Sequence, residues 1–90
     1  MKQVTEFGAR LEKIRLTCGF KSQIAFADFL GASKTQYNNW VNGTNGMPVD
    51  YAQKLRERFG YTLDFIYCGD VSSLPLRLVR LMDPDAGSDT

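Results

Sequence analysis

The chain has 90 residues, an apolar content of 43%, a charged content of 23% and a net charge of +1. That length holds one domain with a single modest core, and the composition excludes both a disordered chain and a membrane-embedded one. With no His and only Cys18 and Cys68, far apart, the sequence also argues against a zinc centre, which wants four such ligands.

Residues 1–15 alternate polar and apolar groups without the pattern of a secretory leader, and no apolar run approaches the length of a membrane span. The two cysteines then read as reduced, largely buried thiols of a cytoplasmic protein. Phe7, Leu11, Ile14 and Cys18 recur at helical spacing and predict a first helix from about Thr5 to about Thr17, ending near Gly19. Gly8 within it is mildly unfavourable. Ser22 caps a second helix with Phe26, Ala27, Phe29 and Leu30 inward and Ile24 at the margin. Gly31 ends that helix, and only Ala32 separates it from the next cap, Ser33.

The third helix opens on Ser33 and Gln36, the S-x-x-Q spacing of a capping box. Tyr37, Trp40 and Val41 form its apolar stripe, and Gly43 stops it. The segment "NGTNGMP" is turn chemistry throughout. Pro48 opens a fourth helix, with Asp50 in the favourable first turn and Ala52, Leu55 and Phe59 inward. Thr62 caps a short fifth helix over Leu63, Phe65, Ile66 and Tyr67, closed by Gly69. No strand is predicted before residue 70.

The segment "VSSLPLRLVRLM" at 71–82 carries two readings. Pro75 can start a helix on which Leu74, Leu78, Leu81 and Met82 share a face, while Leu76 and Leu78 flanking Arg77 read equally as a short strand; the helix is preferred. In either form the leucine-rich strip needs a cover, from its own core or from a partner chain. Leu74, Leu78, Leu81 and Met82 are therefore the candidate dimerisation residues, and truncation after Gly69 is expected to leave a folded monomer. The closing "DPDAGSDT", residues 83–90, reads as an acidic, disordered tail, which leaves 1–82 as the folded domain.

Charge is unevenly distributed. Residues 1–60 hold nine Lys/Arg against five acids, and residues 61–90 hold two against five. A basic body is a weak pointer to a polyanionic partner. The third helix is the sharper signal, because Asn is a poor choice for a helix interior. At 100° per residue, Thr35, Asn39 and Asn42 lie nearly opposite the apolar stripe, with Asn38 on one flank and Lys34 at the exposed start. Such side chains suit base edges in the major groove: Asn bridges adenine N6 and N7, Lys donates to guanine O6 and N7, and the Thr methyl meets that of thymine. An ordinary solvated helix face would carry the same residue types.

The Gly-Ala-Ser turn is too short for a long antiparallel hairpin and sets two helices at a steep angle. From Gln23 the chain continues with Phe26, Ala27, Leu30, Gly31, Tyr37 and Trp40, and this ordered set resembles the helix-turn-helix pattern. "RLEKIRLTCGF" resembles the first helix of the Xre, or phage Cro and repressor, family, and "MPVDYAQKLRERFGYTLDFIYCGD" is similar to its closing helix pair. The resemblance covers roughly residues 7–70, with the helix-turn-helix at about 23–42. It implies an all-α, five- to six-helix bundle of the lambda-repressor-like type. It further implies that Lys34, Thr35 and Asn39, with Asn38 beside them, read bases.

Phosphate contacts are expected from Gln23 at the N-terminus of the second helix, and from Asn42, Thr44 and Asn45 after the third. Two departures stand out. Many relatives pair an Arg at the end of the first helix with a Glu near the end of the third; here Arg15 fits the first position, but the second is Val41. Arg15 is then solvated, bound to helix-end carbonyls or free to meet a phosphate. An extra residue between Gly19 and Gln23 also blurs the start of the second helix.

Catalysis finds no support, since the usual acid–base groups are absent and "GASK" lacks the second glycine of a phosphate loop. The expected function is that of a sequence-specific, double-stranded DNA-binding transcriptional regulator, a Cro-like or prophage-type repressor acting by operator occupancy. Its expected partners are a roughly palindromic operator and a second copy of the chain, with no cofactor, metal, membrane or small-molecule ligand. The rival expectation is an antitoxin or other protein-interaction module on the same fold.

Overall fold

A computed structural model describes residues 5–82 as six α-helices and one 3-10 turn. These are α1 (Glu6–Thr17), α2 (Gln23–Leu30), α3 (Lys34–Asn42), α4 (Val49–Phe59), α5 (Leu63–Cys68), the turn Val71–Ser73, and α6 (Leu76–Met82). Among the described residues there is no strand, and no helix is long and apolar enough to cross a membrane. The tail at 83–90 lies outside them.

Polar caps set where the helices begin. Thr5, Ser22, Ser33 and Thr62 each accept a hydrogen bond from a backbone N–H of the first turn of α1, α2, α3 and α5. Pro48 precedes α4 without a side-chain cap. The three-residue turn between α2 and α3 is tied back by the N–H groups of Gly31 and Ala32, which donate to Asp28 and Ala27 carbonyls. Gly31, at φ +87°, takes the left-handed conformation that the turn requires.

The helices close on one core. α1 packs against α3, α5 and α6, and α2 packs against α3 and α4. Leu11 and Ile14 of α1, Phe26, Ala27 and Leu30 of α2, and Tyr37, Trp40 and Val41 of α3 are buried together with Ala52, Leu55, Tyr61, Phe65 and Ile66. Aromatic contacts run through it: Phe26 meets Tyr37 edge-on at 5.7 Å, and Trp40 meets Tyr51 at 4.8 Å. The backbone N–H and hydroxyl of Thr5 both donate to the Val41 carbonyl, at 3.4 and 3.3 Å, fastening the start of α1 to the end of α3.

The strip in 71–82 is covered by the chain itself, which corrects the dimerisation assignment. Residues 76–82 are helical, and Leu74, Leu78 and Met82 are buried in the core, at 8%, 2% and 6% exposure. Met82 also accepts the Tyr61 hydroxyl at its Sδ, at 3.7 Å. Of the four residues assigned to a partner, only Leu81 faces outward; Leu76, on the same helix, is exposed as well. The thiols differ from expectation too. Cys18 is half-buried, with its thiol pushed up to about 11 by burial, whereas Cys68 is exposed.

Candidate nucleic-acid interface

α3 presents two contrasting faces. Tyr37, Trp40 and Val41 point into the core, while Ser33, Lys34, Thr35 and Gln36 are exposed and Asn38, Asn39 and Asn42 are half-buried. The capping box forms as its spacing requires: Ser33 Oγ accepts the Gln36 N–H at 3.0 Å, and Gln36 Oε1 accepts the Ser33 N–H at 2.9 Å. This holds the exposed first turn in a defined helical geometry, with Lys34 and Thr35 as its first two residues.

The loop after α3 folds back onto it. The backbone N–H groups of Thr44 and Asn45 both donate to the Asn39 carbonyl, at 2.9 and 3.2 Å. Asn39 is half-buried for that reason, although it lies opposite the apolar stripe. The same bonds bring exposed Thr44 and Asn45 beside Asn39 and Asn42. Lys34 and Thr35 lie about one turn earlier on the helix; Thr35, Asn39 and Asn42 share the face opposite the apolar stripe, with Asn38 and Lys34 on one flank. Among the described residues, Gln36 and Tyr37 are the α3 residues whose side chains make hydrogen bonds; those of Lys34, Thr35, Asn38, Asn39 and Asn42 make none.

Gln23 stands apart from this cluster. It begins α2, as expected, and is half-buried.

Arg15 is bound to carbonyls, though of the α1–α2 loop and not of a helix end, and its acidic partner lies on its own helix. Nη1 donates to the Phe20 and Lys21 carbonyls at 2.9 and 2.7 Å, and Nη2 donates to Glu12 at 3.0 Å. Glu12 also accepts the Tyr37 hydroxyl from α3. Burial would raise the Glu12 carboxyl, but hydrogen bonds from Arg15 and Tyr37 and the Arg15 charge outweigh it and hold it below its ordinary value. The Tyr37 hydroxyl is pushed strongly upward by burial and by the bond to Glu12. Sequence reasoning missed this network because it sought the partner of Arg15 at position 41; the Glu12/Arg15 spacing of i,i+3 was its visible sign.

Several cations have their donors committed inside the molecule. Arg10 donates to the Ile66 and Tyr67 carbonyls and Lys54 to the Leu30 carbonyl, at the ends of α5 and α2. Lys13, Lys21, Lys34, Lys54, Arg56, Arg58, Arg77 and Arg80 are exposed, Lys54 despite its bond to Leu30. Among the described residues, no group of three His, Cys, Asp or Glu is placed to hold a metal ion.

No protein-family model, curated protein or solved structure matches this chain.

Proposed function

We propose that the chain is a sequence-specific DNA-binding transcriptional regulator of the lambda-repressor-like helix-turn-helix type, resembling a Cro-like or prophage repressor that acts by operator occupancy. The observation that carries this reading is the outer surface of α3. A capped helix, locked to the core by Tyr37, Trp40 and Val41, offers Lys34, Thr35, Asn38 and Asn39 with no internal hydrogen bonds to their side chains. These donors and acceptors match the edges of base pairs, and α3 is the element that enters the major groove. Asn42, Thr44 and Asn45 meet the flanking phosphates.

The regulator works as a homodimer on a two-fold operator. α3 has nine residues and reaches only a few base pairs, so two copies about 34 Å apart are needed for selective occupancy. With Leu74, Leu78 and Met82 committed to the core, the apolar groups left on α6 for that contact are Leu76 and Leu81. Selection of bound sequences from a random duplex pool tests the function. Recovery of a two-fold consensus supports it. Recovery of no consensus, together with capture of a protein partner through α3, favours the interaction module.

A further inference from the structure

One carboxylate ties α1 to α3 within the proposed reading unit and, through Arg15, to the segment that leads into α2. Glu12 projects from α1; its Oε2 accepts the Tyr37 hydroxyl of α3 at 2.5 Å and Arg15 Nε at 3.3 Å. Its Oε1 accepts Arg15 Nη2 at 3.0 Å. Arg15 passes the connection on through Nη1 to the Phe20 and Lys21 carbonyls, in the segment that leads into α2. Tyr37 is fully buried and Arg15 is 9% exposed, the one charged residue among those described that the core encloses.

Ring packing alone would hold Tyr37 in place but would not fix its direction. Its neighbours Phe26 and Trp40 lie at 5.7 and 6.3 Å, and such contacts tolerate small rotations of a helix about its axis. A hydroxyl bonded to a charged acceptor is directional and stronger. A buried charge, by contrast, is a poor general stabiliser and is best attested as a device that fixes one arrangement.

We infer that Tyr37, Glu12 and Arg15 are positioning residues for base recognition, fixing the rotation and height of α3 relative to the start of α2. This rests on the DNA-binding reading, and it assigns the triad to discrimination between sequences rather than to affinity for phosphate. A shift of α3 by a fraction of an ångström misaligns bidentate base contacts but leaves flexible phosphate contacts intact.

The test uses the full chain, its selected duplex and an unrelated duplex of equal length, below the melting temperature of every variant. Tyr37→Phe keeps the ring and removes the hydroxyl; Glu12→Gln, nearly isosteric, is the second variant should the first fold poorly. The expected result is a loss of about tenfold in affinity for the selected duplex, the scale of one charge-assisted hydrogen bond, with unrelated duplex bound as before. Amide hydrogen exchange of the free protein should rise in α3 and at Phe20–Gln23, and stay level in α4 and α5. An unchanged ratio between the two duplexes in both variants overturns the inference, as does exchange that rises evenly through all helices. If the native chain binds no duplex, a rise confined to α3 and Phe20–Gln23 still upholds the triad as the anchor of α3, and the failure belongs to the DNA-binding reading.

Discussion

Gly8 lies directly against the Val41 carbonyl: a Cβ added there would sit closer to that oxygen than real Cβ contacts allow. This is where α1 crosses α3, and Thr5 donates to the same carbonyl two ways. The glycine that weakens α1 by helix propensity is therefore required by packing. Gly8→Ala should push α1 away from the end of α3 and destabilise the fold by about 1–3 kcal/mol, as overpacking does. Denaturant unfolding measures it; a neutral or stabilising change would show that the crossing is looser than described.

Removing the C-terminal segment should now be damaging. Truncation after Gly69 deletes Leu74, Leu78 and Met82 from the core, each contributing about 1.5–3 kcal/mol by burial. A marginally stable domain of this size should lose cooperative unfolding. Leu76→Lys and Leu81→Lys, at 60% and 51% exposure, should leave the fold intact and weaken self-association. Circular dichroism and sedimentation equilibrium separate the two outcomes. A folded truncation would contradict the burial of α6, and a lysine pair that dimerises normally would remove α6 from the interface.

The contrast between these two sets of leucines marks what could be read in advance. The capping box of Ser33 and Gln36, the caps Ser22 and Thr62, and the glycine stops Gly31, Gly43 and Gly69 are local chemistry, and all occur where their spacing predicts. Periodicity likewise identified Tyr37, Trp40 and Val41 as the inward face of α3. It did not tell which body covers the face of Leu74, Leu78 and Met82, because apolar spacing is the same for a core and for an interface. It also grouped Leu81 with them, although α6 turns that residue outward. The Glu12–Tyr37 bond spans 25 residues, and only the tertiary placement of α1 against α3 creates it.

Acid should loosen the fold through Glu12. Burial raises its carboxyl, but the bonds from Arg15 and Tyr37 leave it net lowered in the folded state. A carboxylate lowered by folding contributes stability that is present above its unfolded value and lost as pH falls through its folded value. The free energy of unfolding should thus fall on acidification through and below the ordinary carboxylate range. Glu12→Gln should show a smaller acid-side loss than the native chain. Urea unfolding at a series of pH values checks this; parallel profiles for the two proteins would rule out Glu12 as a contributor.

Salt should weaken DNA binding steeply. Lys13, Lys21, Lys34, Lys54, Arg56, Arg58, Arg77 and Arg80 are exposed, whereas Arg10 and Arg15 are more enclosed and donate to backbone carbonyls. The logarithm of the binding constant should fall with the logarithm of salt concentration by about 0.9 per phosphate neutralised. Arg10→Gln should alter stability while leaving that slope unchanged, because its guanidinium is held at the end of α5. A slope near zero for the native chain would mean that its surface does not meet a phosphate backbone.

The most direct test of α3 as the base-reading element is duplex selection carried out side by side with the native chain and Asn39→Ala. Asn39 lies opposite the buried stripe and makes no internal side-chain hydrogen bond among the described residues, so its removal should leave the fold unchanged. The native chain should recover a two-fold consensus with half-sites about one helical turn apart. Asn39→Ala should recover the same consensus with preference lost at one symmetric pair of positions, a change of about 1–3 kcal/mol per base contact. Identical consensus sequences from the two proteins, or none from the native chain, would contradict base reading by this helix.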